Sequence, residues 1–193
     1  MLIIGFFFIA IISHAAEYEF SKNCLDARQA IVELRFNDAR RLIKYESLVH
    51  PDNLVPYSLE STIDCIALFI SEEKATYNYL IDTRDVRLKK LSSGDKSSPY
   101  YRFFLGQYFI EWAFVRFKFG DRTGAALELG KAYRYFEENE KLFPRFSLNR
   151  IGTGLVRVAF GLVPDQYKWF TGLLGFHGDT EDGLRDIASI VYY

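Results

Sequence analysis

The sequence predicts an all-α protein of stacked antiparallel helical hairpins, and three observations carry that expectation. One spacing occurs twice: Ala39, Ile43 and Pro51, then Ala132, Phe136 and Pro144. In each, a small residue lets two helices approach closely, an apolar residue four later sits one turn along the same face, and a proline closes the unit. No alternating strand pattern competes after residue 16. Recognisable stop and start signals punctuate the chain, among them Pro51-Asp52-Asn53, the stretch from Ser92 to Pro99, and Gly120-Asp121.

The first sixteen residues stand apart. Leu2 to Ile12 is an unbroken apolar run, Ser13-His14-Ala15-Ala16 follows, and charged residues begin at Glu17. The run is too short for a bilayer core, which needs about 20 residues, but it fits the apolar region of a signal peptide ending in small residues. Cleavage is expected after Ala15 or Ala16, making residues 1–16 a signal peptide and 17–193 the mature domain. The protein is then exported, to a bacterial periplasm or envelope, with no stable transmembrane span. No Lys or Arg precedes the run, so an uncleaved anchor or an apolar first helix is the competing reading. Cys24 and Cys65 are the only cysteines. In an exported chain they either form one disulfide or stay as two buried thiols, and spacing does not decide between these.

The helices follow in order. Ser21 precedes a first helix, Cys24 to about Leu34, and Asn37 or Asp38 caps a second that runs to His50. Tyr57 to Phe69 is the third, with Leu59, Ile63, Ile66 and Ile70 at the helical period. Ser71-Glu72-Glu73-Lys74 opens a fourth that reaches about Leu91. Ser92 to Pro99 is the clearest linker, and it is expected to be a loop inside one array because each flank is too small to be stable alone. Pro99 starts a fifth helix carrying Tyr100, Tyr101, Phe103, Phe104, Tyr108, Phe109, Trp112, Phe114 and Phe117, an inner helix covered on several sides. Arg122 to Leu142 is the sixth, Asn149 to Leu162 the seventh, Pro164 to about Leu174 the eighth, and Asp179 caps a ninth. The chain reaches Tyr193 inside that helix without a polar capping segment, so the array is expected to continue further.

The spacing on Ala39, Ile43, Pro51 and on Ala132, Phe136, Pro144 resembles the tetratricopeptide-repeat superfamily of helical solenoids, with Leu105-Gly106-Gln107-Tyr108 an echo of its first-helix positions. A second segment, Ile151-Gly152-Thr153-Gly154-Leu155, Leu162-Val163-Pro164, Leu173-Leu174-Gly175-Phe176-His177-Gly178-Asp179 and Gly183-Leu184, looks like the corresponding stretch in a eukaryotic branch of mitochondrial outer-membrane, inclusion-body or lipid-homeostasis tetratricopeptide-like proteins. These resemblances imply an α-solenoid and no catalytic residue. Independently of them, Gly152, Gly154, Gly161, Gly172 and Gly183 allow close helix packing.

The search for chemistry yields little. With 24 Lys and Arg against 25 Asp and Glu, the net charge of -1 gives no basic field of the kind nucleic acid selects. His177 beside Asp179 lacks the further ligands of a zinc or acid-base site, and no phosphate loop or nucleophile elbow is present. The expectation is therefore a non-enzymatic scaffold, without cofactor or metal, that holds a protein or peptide. Tyr77, Asn78, Arg102, Tyr133 and Arg134 are its candidate partner-binding residues. The alternative is a carrier or sensor of an apolar ligand such as a lipid, motivated by the aromatic and glycine-rich helices.

Overall fold

The computed structural model describes residues 17–161 and 180–191, and over them the chain is all-helical. Nine helices are present among the described residues: α1 Lys22–Val32, α2 Phe36–Val49, α3 Val55–Ser71, α4 Lys74–Thr83, α5 Asp85–Leu91, α6 Pro99–Lys118, α7 Arg122–Leu142, α8 Leu148–Gly161 and α9 Thr180–Val191. The only β feature there is one parallel bridge between Glu17 and Asn53. The expected signal peptide, the helix from Pro164, Gly172, His177 and the Asp179 cap lie outside the described residues.

Local chemistry sets most of the boundaries. The Ser21 hydroxyl accepts from the Cys24 amide at 3.2 Å to start α1, and the Asp121 carboxylate accepts from the Gly124 amide at 2.9 Å to start α7. Gly120, at φ +85, makes the left-handed turn that reverses the chain between α6 and α7. Pro56 sits in the first turn of α3, where its missing N–H costs nothing, so α3 begins at Val55 rather than at Tyr57. Asn37 and Asp38 fall inside the first turn of α2 instead of capping it, and Asp38 bonds Arg35 and Arg41 across that turn.

The largest departure from expectation is the helix read as continuous to Leu91. It breaks at Arg84 into α4 and α5. The Arg84 side chain is buried and bonds Glu128 of α7, while the Tyr108 hydroxyl donates to the Arg84 carbonyl at 3.2 Å. A tertiary demand thus overrides local helical preference.

Pair contacts fix the directions. Asn23 at the start of α1 donates to Glu46 near the end of α2 at 2.9 Å, so these two helices are antiparallel. α6 and α7 are antiparallel as well, tied by Arg102 to Glu138 at 3.1 Å, by Phe109 stacked on Tyr135, and by Arg116 to Glu128 at 3.4 Å. In α8 and α9, Gly154 meets Gly183 and Gly161 meets Thr180, again antiparallel. α3 and α6 run side by side in the same direction, since Thr62 meets Glu111 and Phe69 meets Lys118.

Close approach and buried amides lock the joints. The Phe136 ring of α7 lies between Gly106 of α6 and Gly152 of α8, and a Cβ at either glycine would come within 2.7 Å or 2.3 Å of it. The Asn139 side-chain amide donates to the Pro99 carbonyl at 2.9 Å and to Asn149 at 2.7 Å, joining the same three helices. The core runs through all of this, and Trp112 is its largest fully buried side chain. Cys24 and Cys65 are both buried and free.

Candidate functional site

The face of α3 and α6 that turns away from α5 and α7 carries the most unusual surface among the described residues. On α3, Glu60 and Asp64 point toward α5, where they pair with Arg87 at 3.3 and 2.8 Å. Thr62, Ile66 and Phe69, spaced by four and three, lie about half a turn round from them. On α6, Phe109 and Arg116 point toward α7, and Gln107, Glu111, Phe114 and Lys118 lie about half a turn from those. The two stripes form one seam because the helices are parallel.

At the seam's centre is a polar node. The Glu111 carboxylate accepts from the Thr62 hydroxyl at 2.7 Å and from the Gln107 amide at 2.8 Å, both on Oε1. Its Oε2 is buried and has no hydrogen-bond partner. Burial disfavours the ionised form more than those two donors favour it, so the carboxyl is pushed up to about 7. On the far side of the node Trp112 donates to the Ser61 hydroxyl at 3.3 Å, a second polar tie between the two helices. Cys65 is buried beside Glu111 and Asp64, and its thiol is pushed well up, chiefly by burial.

Toward the C-terminal ends of α3 and α6 the seam becomes apolar and open. Phe69 is 48% exposed and Phe114 40%, and Phe117, more than a quarter-turn round α6 from Lys118, is 53% exposed. Lys118 places its ammonium 5.1 Å from the centre of the Phe69 ring and pairs with Glu72 at 2.6 Å. Aromatic rings left in water on neighbouring turns are the type of surface that a partner's apolar residues cover.

Two other charged clusters hold helices together. Arg84 lies over the Trp112 ring at 4.9 Å and pairs with Glu128, which also receives Arg116, and Arg116 pairs with Asp121. At the other end of the molecule Glu46 is fully buried. Burial would raise its pKa, but hydrogen bonds from Asn23, Ser21, Asn53 and His50 outweigh that and hold it at about 2. Asn53 also clasps the backbone of Glu19, donating to its carbonyl at 2.8 Å and accepting from its amide at 3.1 Å.

The five residues singled out in the sequence are not brought together. The Tyr77 ring is buried and stacked on Phe119 with centroids 4.2 Å apart, whereas Arg102 is in the first turn of α6, about 25 Å along that helix. Arg102 bonds Glu138 and the Lys96 carbonyl. Tyr133 is half-buried, edge-on to Phe160. Asn78 and Arg134 are exposed. The Thr62, Gln107 and Glu111 node went unread because Thr62 and Glu111 are 49 residues apart; only the Gln107, Glu111 and Phe114 stripe was visible as helical spacing.

Among the described residues no three His, Cys, Asp or Glu side chains gather closely enough to hold a metal ion, and no helix is long and apolar enough to cross a membrane. No family model, curated protein or solved structure matches the chain.

Proposed function

We propose that this protein is a non-enzymatic scaffold of the tetratricopeptide-like solenoid type, which holds a protein or peptide partner on the seam between α3 and α6. The observation that carries the reading is the exposure of Phe69 and Phe114 beside the Glu111 node. Support for serial stacking comes from direction: α1, α3, α6 and α8 share one orientation, with α2, α7 and α9 reversed between them. In such an array the first helices of successive hairpins line one face, and partners lie across it. The partner would press apolar side chains onto Phe69 and Phe114, with polar groups meeting Gln107 and Lys118. Export to a bacterial periplasm or envelope rests on the character of residues 1–16.

The test is site-specific photocrosslinking. A photoreactive phenylalanine at position 114 should give a discrete protein adduct that is lost when Phe69→Arg is added, while the same probe at Asn78 gives none. Equal labelling from both positions would remove the seam as the binding face. Adducts of lipid mass from position 114 would favour the apolar-ligand reading instead.

A further inference from the structure

A count of protons at the α3–α6 node leads beyond partner binding. Thr62 has a single hydroxyl proton, yet two acceptors lie within its reach: the Ser58 carbonyl at 3.1 Å and Glu111 Oε1 at 2.7 Å. With Glu111 ionised, one of those contacts must go unmade, and the buried Oε2 has no donor at all. With Glu111 protonated on Oε1, both Thr62 contacts are made at once, and the unpartnered Oε2 is a neutral carbonyl oxygen instead of half of a buried charge. The carboxyl proton goes to Thr62 Oγ1, Thr62 passes its own to the Ser58 carbonyl, and the Gln107 amide donates to Glu111 at 2.8 Å and lies 3.3 Å from Thr62.

The surroundings favour the neutral form as well. From α3 the titratable groups are the Cys65 thiol and, on the side turned to α5, Asp64, already paired with Arg40 and Arg87. From the α4–α5 junction the nearest cation is Arg84, and it is engaged with Glu128. On α6 itself the neighbour is neutral Gln107. Among the described residues no cation pairs with Glu111, so its charge would stand in a poorly solvated seam without a balancing partner there.

We propose that Glu111 is a proton-operated latch on the α3–α6 seam: protonated, it closes the contact with Thr62 and Ser58, and ionised, it draws the two helices apart so that its carboxylate reaches water. The sign follows from linkage. A carboxyl whose pKa is higher in the folded chain than in the unfolded chain adds stability that is fully present below about 4.5 and is lost as pH rises through about 7. The latch is therefore tight in mild acid and loosens across neutrality, on the face that carries Phe69 and Phe114.

Cys65 reports the opening, because it is buried at the same seam and free. In a Cys24→Ala background, its rate of reaction with a disulfide reagent is measured at pH 6 and pH 8, with and without Glu111→Gln. The parent rate should rise about tenfold more than the Glu111→Gln rate, whose own rise reflects the thiol's titration alone. The melting temperature of the parent should also fall by about 5 °C more than that of Glu111→Gln between pH 5.5 and pH 8. Equal pH dependence in both chains would overturn the latch. Should Glu111→Gln fold poorly, carboxyl-carbon NMR of the parent decides. A Glu111 midpoint near neutrality supports the proposal, and one in the ordinary carboxylate range refutes it. Neither measurement involves a partner, so failure here leaves the binding reading standing, and the reverse holds too.

Discussion

Gly152 approaches Phe136 so closely that a Cβ at that position would lie 2.3 Å from the ring. Gly106 crowds the same ring, where a Cβ would come to 2.7 Å, so the ring is constrained from two helices. α6, α7 and α8 therefore meet through one phenylalanine held between two glycines.

Gly152→Ala should destabilise the protein by about 2–3 kcal/mol, an overpacking cost that outweighs the gain in helix propensity of about 1 kcal/mol. Pairing it with Phe136→Leu should restore much of the loss by making room. Urea unfolding of the two variants checks this, and a neutral Gly152→Ala would mean that α8 docks elsewhere.

Glu46 makes stability depend on acid. Its pKa is depressed to about 2 in the folded chain, so it contributes stability that is present above about 4.5 and disappears as pH falls toward 2. Glu46→Gln should cost about 3 kcal/mol at pH 7 and flatten the loss of stability between pH 4.5 and pH 2. Thermal melts across that range distinguish this from a simple packing defect, which would lower both limbs equally.

The Arg84–Glu128 pair is buried on both sides. Removing Arg84 leaves the buried Glu128 with only the longer Arg116 contact at 3.4 Å, so Arg84→Met should cost about 3 kcal/mol. Arg84→Met with Glu128→Leu together should cost less than the single change, since no under-paired buried carboxylate remains and Arg116 keeps Asp121. A double-mutant cycle by chemical denaturation gives the coupling, and strict additivity would show that the pair is not linked.

Asn139 makes a similar case with neutral groups. Its amide bridges Pro99 and Asn149, and the contact between the two asparagines is buried away from water. Asn139→Leu should lose about 2 kcal/mol or more, because two acceptors are left without a donor. Hydrogen exchange should then rise at the start of α6 and of α8 together, and a rise confined to α7 would contradict the bridge.

Helix positions were largely legible, because caps, prolines and the 3.6-residue period are written locally. Ser21, Pro99 and Gly120-Asp121 mark real ends. Pro56 marks the start of α3 two residues before the apolar period that begins at Tyr57. The break at Arg84 was not legible, since it answers to Glu128, 44 residues away. The same holds for the seam: Gln107, Glu111 and Phe114 share a visible stripe, but nothing local says that Thr62 faces them. Tyr77 looked like a surface aromatic because its stacking partner, Phe119, comes from beyond the next linker.

The Tyr18 hydroxyl donates to the Leu91 carbonyl at 2.8 Å, and its ring lies against Gly94 and is stacked on Phe104. The loop that divides the chain at its midpoint is thus gripped by Tyr18 and, through the bond from Arg102 to the Lys96 carbonyl at 2.8 Å, by a residue from the second half. A protease cut between Ser92 and Ser98 would not release two independent pieces. The nicked halves would stay clasped and melt in one step, as a complemented pair of fragments does, and separately expressed halves would need each other to fold.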